Sequence, residues 1–152
     1  MSAISLQPIG VVRNDVKEPK DEDWGSVVSQ IRLDPALADG LLELQHFSHA
    51  VVVFLMHEAR FEPATHLARH PRNREDLPLV GIFAQRARHR PNPIGNTTVH
   101  IERVERGTLI VRGLDAIDGT PVLDVKPHVP VFDAPARPRV PEWMDRLMAG
   151  YF

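Results

Sequence analysis

Thr97-Thr98-Val99-His100-Ile101-Glu102-Arg103-Val104-Glu105-Arg106-Gly107-Thr108-Leu109-Ile110-Val111-Arg112 decides the fold class. Val99, Ile101 and Val104 stand against His100, Glu102 and Arg103, close to the two-residue period of a strand with one buried face. Arg106-Gly107 is a tight hairpin signal, and residues 108–112 return as a second strand. Upstream, residues 4–12, 26–33, 50–56 and 79–84 are further apolar or alternating runs, and residues 121–125 form a last short one. Residues 50–56 are continuously apolar and β-branched, as in a strand buried on both faces. Helical signals are few: residues 35–44, and residues 141–148, where Pro141 can take the first helical position. Residues 13–25 and 58–78 read as long loops, a length that is usually functional or mobile. The expectation is a mainly β, antiparallel fold, a barrel or bent sheet, with a short C-terminal helix.

Composition narrows the function classes. The 152 residues suit one domain with a real core, the net charge is −2, and 43% of residues are hydrophobic. There is no cysteine, which excludes thiolate catalysis and cysteine-bound zinc. The first residues carry neither the charge nor the apolar stretch of a signal peptide, and no apolar run reaches a membrane span, so a cytoplasmic protein without membrane contact is expected. Fifteen of the 18 basic residues are arginine. Seven of them lie in residues 60–90 against Glu62, Glu75 and Asp76, a local charge of +4. Arginine binds phosphate bidentately and stacks on bases, so this segment suits either a polyanion surface or a salt-bridged loop.

The last three of those arginines lead into Arg86-Ala87-Arg88-His89-Arg90-Pro91-Asn92-Pro93-Ile94-Gly95-Asn96. Each proline fixes its own φ and pushes the residue before it toward extended geometry. The product is a stiff loop of cations and hydrogen-bonding groups, in which Gly95 allows a turn or a close approach to its backbone. No Gly-x-Gly-x-x-Gly or Gly-x-x-x-x-Gly-Lys pattern accompanies it, which argues against the Rossmann and P-loop nucleotide folds. His46 and His49, and His66 and His70, have spacings that could share a ligand face, but no further ligand pattern supports a metal, and none is expected.

Gly81-Ile82-Phe83-Ala84, Arg86 and Arg90-Pro91-Asn92-Pro93-Ile94-Gly95 resemble the signature of the TsaA-like/TrmO family. A second block agrees, Asp118-Gly119-Thr120-Pro121-Val122-Leu123-Asp124-Val125-Lys126-Pro127 with Pro130 and Asp133, as do Ile9-Gly10-Val11-Val12-Arg13 and, more weakly, Gly40-Leu41 and Phe47-Ser48-His49. The resemblance implies one β-barrel-like TsaA-type domain, with a core over about residues 4–133 and a tail over residues 134–152. It implies a non-Rossmann methyltransferase that binds S-adenosylmethionine (SAM), a homodimer with SAM near the interface, and N-methylation of threonylcarbamoyl-adenosine beside the tRNA anticodon. A small non-tRNA acceptor, or SAM binding without catalysis, are the alternatives. Two features bear on the substrate: where the tRNA enzymes usually show Thr-Arg-Ser-Pro, this chain reads Gln85-Arg86-Ala87-Arg88, and those enzymes tend to carry a second, C-terminal domain.

The resemblance carries the SAM-binding residues over as Phe83, Ala84, Arg86, Arg90, Pro91, Asn92, Pro93, Ile94, Gly95, Asp118, Gly119, Thr120, Leu123, Asp124 and Lys126. Phe83 and Ile94 could flank the adenine, Asp124 or Asp118 could take the ribose hydroxyls, and Arg86 or backbone N–H groups could take the carboxylate. A nitrogen nucleophile that loses its proton needs an acceptor, for which His89, titrating near neutrality, and Asp124 are the candidates.

Overall fold

The computed structural model describes residues 1–152. The hairpin Ile94–Glu105 (β6) and Thr108–Arg112 (β7) forms as read, around Gly107 with its positive φ of 69°. Gly10–Arg13 (β1), Val28–Leu33 (β2), His49–Leu55 (β3) and Pro121–Pro127 (β8) complete a closed antiparallel barrel in the order β1-β2-β7-β6-β3-β8. β8 closes on β1 through Gly10 opposite Val122 and Val11 opposite Pro121. Pro121, which has no N–H to give a ladder, sits at the first position of its strand. Closure leaves no edge of the barrel unpaired.

Every strand sends alternate residues inward. Val12, Ile31, Ala50, Val52, Phe54, Val99, Ile101, Leu109, Val111 and Val122 form the core, and Leu41 and Leu44 join it from outside the barrel strands. Two bulges keep this parity. In β6 the register jumps between Ile101 and Arg103, so Glu102 is the extra residue and Val104 packs on the core again. The three-residue gap between Ile101 and Val104 is the trace of that bulge in the sequence. In β8 the extra residue is Leu123, which lets Val122 and Val125 both pack inward while Asp124 and Lys126 fall on the outer side.

Several expectations change. Residues 4–9 form no strand; β1 starts at Gly10, and Ile4 is 88% exposed. β3 is not buried on both faces: Val51, Val53 and Leu55 are half-buried because no second layer covers the barrel there. Residues 79–84 split into a two-residue strand, Val80–Gly81 (β5), and a 3-10 turn, Ile82–Ala84, because β5 pairs only with the equally short Ala68–Arg69 (β4). Residues 35–44 form a 3-10 helix, Pro35–Leu41, capped by the Asp34 carboxylate on the Ala36 N–H at 2.9 Å, followed by the 3-10 turn Leu44–His46. The long loop 58–78 holds a short helix, Pro63–His66 (α1), β4 and the turn Pro71–Asn73. Pro130–Asp133 (α2) is an unforeseen turn of helix with Pro130 at its start. The C-terminal helix is Glu142–Met148 (α3), with Pro141 as its N-cap rather than its first residue.

The tail is tied back to the barrel. Asp23 and Trp24 donate backbone N–H groups to Gly150 and Tyr151, both at 2.9 Å. The Tyr151 hydroxyl donates to Asp115 at 2.5 Å, and the other oxygen of that carboxylate accepts from the buried Thr97 of β6. Burial, then the charge of Asp115, raises the Tyr151 pKa well above its ordinary value.

Gly95 is required by space, not by φ. It pairs with Phe54 across the β3–β6 ladder, and a Cβ there would lie 2.5 Å from the buried Phe54 ring. Gly95→Ala is expected to cost about 1–3 kcal/mol as an overpacked core position, read as a lowered urea midpoint at unchanged slope.

Candidate functional site

β3 brings the two motifs together. Its outward residue Val53 pairs with Asn96 on one side and Asp124 on the other, and Val51 pairs with Thr98 and Lys126. Leu55 lies opposite Ile94, and His49 lies opposite His100. The outer face of β6, β3 and β8 is therefore an ordered grid, with Ile94, Asn96 and Asp124 toward one end of the barrel and His49, His100 and His128 toward the other. The His49 ring stands edge-on to His100 at 5.4 Å and to His128 at 6.3 Å. Lys126 pairs with Asp124 within this face.

The proline loop is held from both sides. Arg86 donates to the Asn96 carbonyl at 2.5 Å, and Arg90 donates to the carbonyls of Gln85 at 2.8 Å and Ala87 at 3.3 Å. Buried Gln85 donates its amide to the carbonyls of Arg69 and Val80, joining the loop to both strands of the β4–β5 pair. Pro93 and Asn92 give their carbonyls to Met56 and Ile94, each at 2.7 Å. The Asn92 side-chain amide has no partner in the chain and is exposed, as is Pro91. Phe83 and Ala84, on the turn before the loop, are exposed too, Phe83 at 79%.

Asp118, Gly119 and Thr120 do different work. Asp118 accepts from Lys17 at 2.9 Å and the Asn14 N–H at 3.1 Å, and lies 3.8 Å from Arg13. Those partners, Lys17 first, hold its carboxyl below the usual carboxylate range. Gly119, at φ +82°, lets the chain turn into β8, and Thr120 is buried with its carbonyl on the Val12 N–H at 2.9 Å. This corner holds residues 13–17 against the barrel, and Leu123 is the β8 bulge.

His89 stacks on His66 at 4.8 Å with 12° between the ring planes, and Phe61 lies 6.2 Å from His66. Its Nδ1 accepts the Arg60 backbone N–H at 3.1 Å, and the His66 Nδ1 accepts that of Glu62 at 2.8 Å. Partial burial, then the Arg88 and His66 charges, lower the His89 pKa. Loop 58–78 is thereby sewn to the proline loop.

The structure divides the arginines of residues 60–90. Arg74 forms a two-pronged pair with Asp76, which also meets Arg146, and Arg72 meets Asp21. Arg60, Arg69, Arg86, Arg88 and Arg90 have no carboxylate within ion-pair distance. The sequence reading assigns no site role to Asn96, which precedes a strand begun at Thr97, or to Thr98 within that strand. The alternation Ile94, Asn96, Thr98, His100 was the available signal for an outward row. Asp115 and Tyr151 were missed because their contact spans 36 residues.

A closed antiparallel barrel that offers one exposed three-strand face, bordered by a proline-locked cationic loop, is a single-domain β-barrel scaffold of a non-Rossmann kind. The chain belongs to the tRNA-methyltransferase O N-terminal domain family, which matches residues 13–134. It is 37% identical over 132 residues to the S-adenosyl-L-methionine-binding protein of Archaeoglobus fulgidus, covering 84% of this chain and 91% of that one. The crystal structure of TrmO from Pseudomonas aeruginosa superposes with a TM-score of 0.76 at 33% identity, covering 94% of this chain and 62% of that one. The mouse tRNA (adenine(37)-N6)-methyltransferase is 39% identical over 95 residues, 62% of this chain but 22% of its own length. The chain thus spans less than two thirds of those two relatives.

The depressed His89 pKa makes an acid-side prediction. The unfolded chain takes up a proton near the ordinary value of 6.5 that the folded ring resists, so stability falls as pH drops below that value and toward the folded pKa. Urea midpoints at about pH 7.5 and about pH 5.5 should differ more in the wild type than in His89→Gln.

Proposed function

We propose that the protein is a SAM-dependent methyltransferase acting on the N6 nitrogen of an adenosine in tRNA, the threonylcarbamoyl-adenosine beside the anticodon by resemblance. The observation that carries the reading is that both family motifs border one outward strand face, in a chain similar to SAM-binding and tRNA adenine-N6 methyltransferase proteins.

The residues present fit that cofactor. Phe83 and Ile94 are apolar and exposed, at 79% and 41%, and suit the faces of a purine. Asn92 offers an amide that nothing in the chain uses. Asp124, paired with Lys126, is the more accessible of the two candidate carboxylates, at 44% against 20% for Asp118, which Lys17 and the Asn14 N–H hold. Arg86 and Arg90 act by holding the loop through its carbonyls. The chemistry supplied by bound cofactor is a methyl group already activated on a sulfonium. The protein's part is to align the acceptor nitrogen and exclude water. Removal of the amine proton falls to Asp124 more readily than to His89, whose Nδ1 lone pair is occupied by the Arg60 N–H. A second copy of the chain covering the exposed Phe83, Val131 and Phe132 completes the proposal of a homodimer.

The test is incubation with SAM and unmodified or threonylcarbamoylated tRNA, followed by nucleoside mass spectrometry. A gain of one methyl group on the modified adenosine is the expected outcome; no transfer to either tRNA removes the reading. Asn92→Ala should lower SAM affinity by about 1–3 kcal/mol in calorimetry, through loss of a polar contact. Its melting temperature without ligand should stay that of wild type, because the Asn92 side chain holds nothing else. Wild-type affinity in that variant would take Asn92 out of the pocket.

A further inference from the structure

The His66–His89 stack is built as a set of donors that lacks an acceptor. A neutral imidazole has one acceptor nitrogen. The His66 Nδ1 takes the Glu62 N–H, whereas the His89 ring is offered two donors, the Arg60 N–H at Nδ1 and the Arg88 Nε–H at Nε2, and can accept one of them. With Nδ1 given to the backbone N–H, whose position the chain fixes while the Arg88 side chain can move, each ring carries its proton on Nε2. Arg88 brings its Nε to 3.2 Å from the His89 Nε2. A guanidinium has no acceptor, so once Nδ1 is taken this contact sets one N–H against another. Two donors at that separation are satisfied together by a shared oxygen. Arg69 lies beside the same loop, its carbonyl taking the Gln85 amide at 3.2 Å, and its Nε is shielded from solvent with no hydrogen-bond partner. Neither Arg69 nor Arg88 has a carboxylate within ion-pair distance, in contrast to Arg72 and Arg74.

We infer that Arg88, Arg69 and the Nε2–H groups of His89 and His66 form an oxyanion subsite beside the proline loop, and that its occupant is a backbone phosphate of the acceptor RNA. The subsite stands on the geometry alone; the RNA as the source of the phosphate rests on the proposed function. Anion binding there converts the donor–donor contact into two charge-assisted hydrogen bonds. It also favours protonation of His89, which burial first and then the Arg88, His66 and Arg69 charges oppose.

The experiment is a titration of the whole protein with inorganic phosphate, followed by the histidine ring resonances. Saturable shifts of His66 and His89, a rise in the His89 pKa, and binding weakened about tenfold in Arg88→Gln and Arg69→Gln are expected. Shifts that never saturate, or are the same in Arg88→Gln, overturn the subsite whatever the protein methylates. The source is then read from Arg88→Gln itself. Weaker tRNA binding with a salt slope reduced by about one, and unchanged SAM affinity, supports the phosphate assignment. Weaker SAM binding with unchanged tRNA binding transfers the oxyanion to the cofactor's carboxylate and overturns it.

Discussion

β3 is hydrogen-bonded along both edges, and its register sets which residues of the two motifs meet. Val53 has Asn96 on one side and Asp124 on the other. A slip of one residue on either ladder would turn the polar side chains of that strand into the core and its apolar ones outward. The core therefore enforces the site: the burial of Val52, Phe54, Val99 and Val122 holds Asn96, Asp124 and Lys126 on the outer face. The Leu123 bulge is part of this arrangement. Without it Val122 and Asp124, two residues apart, would point the same way. With it, both the buried valine and the outward carboxylate fit one strand.

The same economy governs the loops. Proline removes backbone freedom that the chain would otherwise lose on folding or on binding a ligand. What the prolines leave undefined is fixed by side chains drawn from the loop: Arg86 on the β6 backbone, Arg90 on the loop's own carbonyls, Gln85 on the β4–β5 pair. Charged residues used in this way are positional, and their charge remains available because they bind carbonyls rather than carboxylates. Asn92, the loop side chain given no such duty, lies between the two rigid residues.

Local signals were legible and distant ones were not. The β6–β7 hairpin is written in adjacent residues, alternation and a glycine turn, and forms as read. The TsaA-like barrel was legible because two long motifs carry it. Residues 79–84 look like a strand by composition, but strand length is set by the partner, and the partner is two residues long. The His66 and His70 spacing suits one helical face, yet α1 ends at His66 and His70 turns to the Leu77 carbonyl at 2.7 Å. The true neighbour of His66 is His89, brought in by loop packing that no periodicity encodes. Of the carried-over residues, Asp124 and Ile94 lie on the outer grid, whereas Asp118, Gly119 and Thr120 form a corner with residues 13–17.

Charge shows the same distinction between what is counted and what is placed. The net value of −2 says nothing about a polyanion. The local excess in residues 60–90 is more informative but still mixes two populations. Arg72 and Arg74 are neutralised in place, and with Asp21, Asp76 and Arg146 they tie loop 71–78 to the early loop and to α3. Exposed pairs of this kind add little stability and mainly select one arrangement of the loops. The cations left without carboxylates, Arg60, Arg69, Arg86, Arg88 and Arg90, belong to the segments joined by the His66–His89 stack and by Gln85. Five arginines against Glu58 and Glu62 leave the local charge of these segments positive in a protein of negative total charge, and such a local field steers an anionic partner more than the sum does. The loops thus supply charge and donors, the barrel supplies a face of set register, and the two are joined where Arg86 meets Asn96.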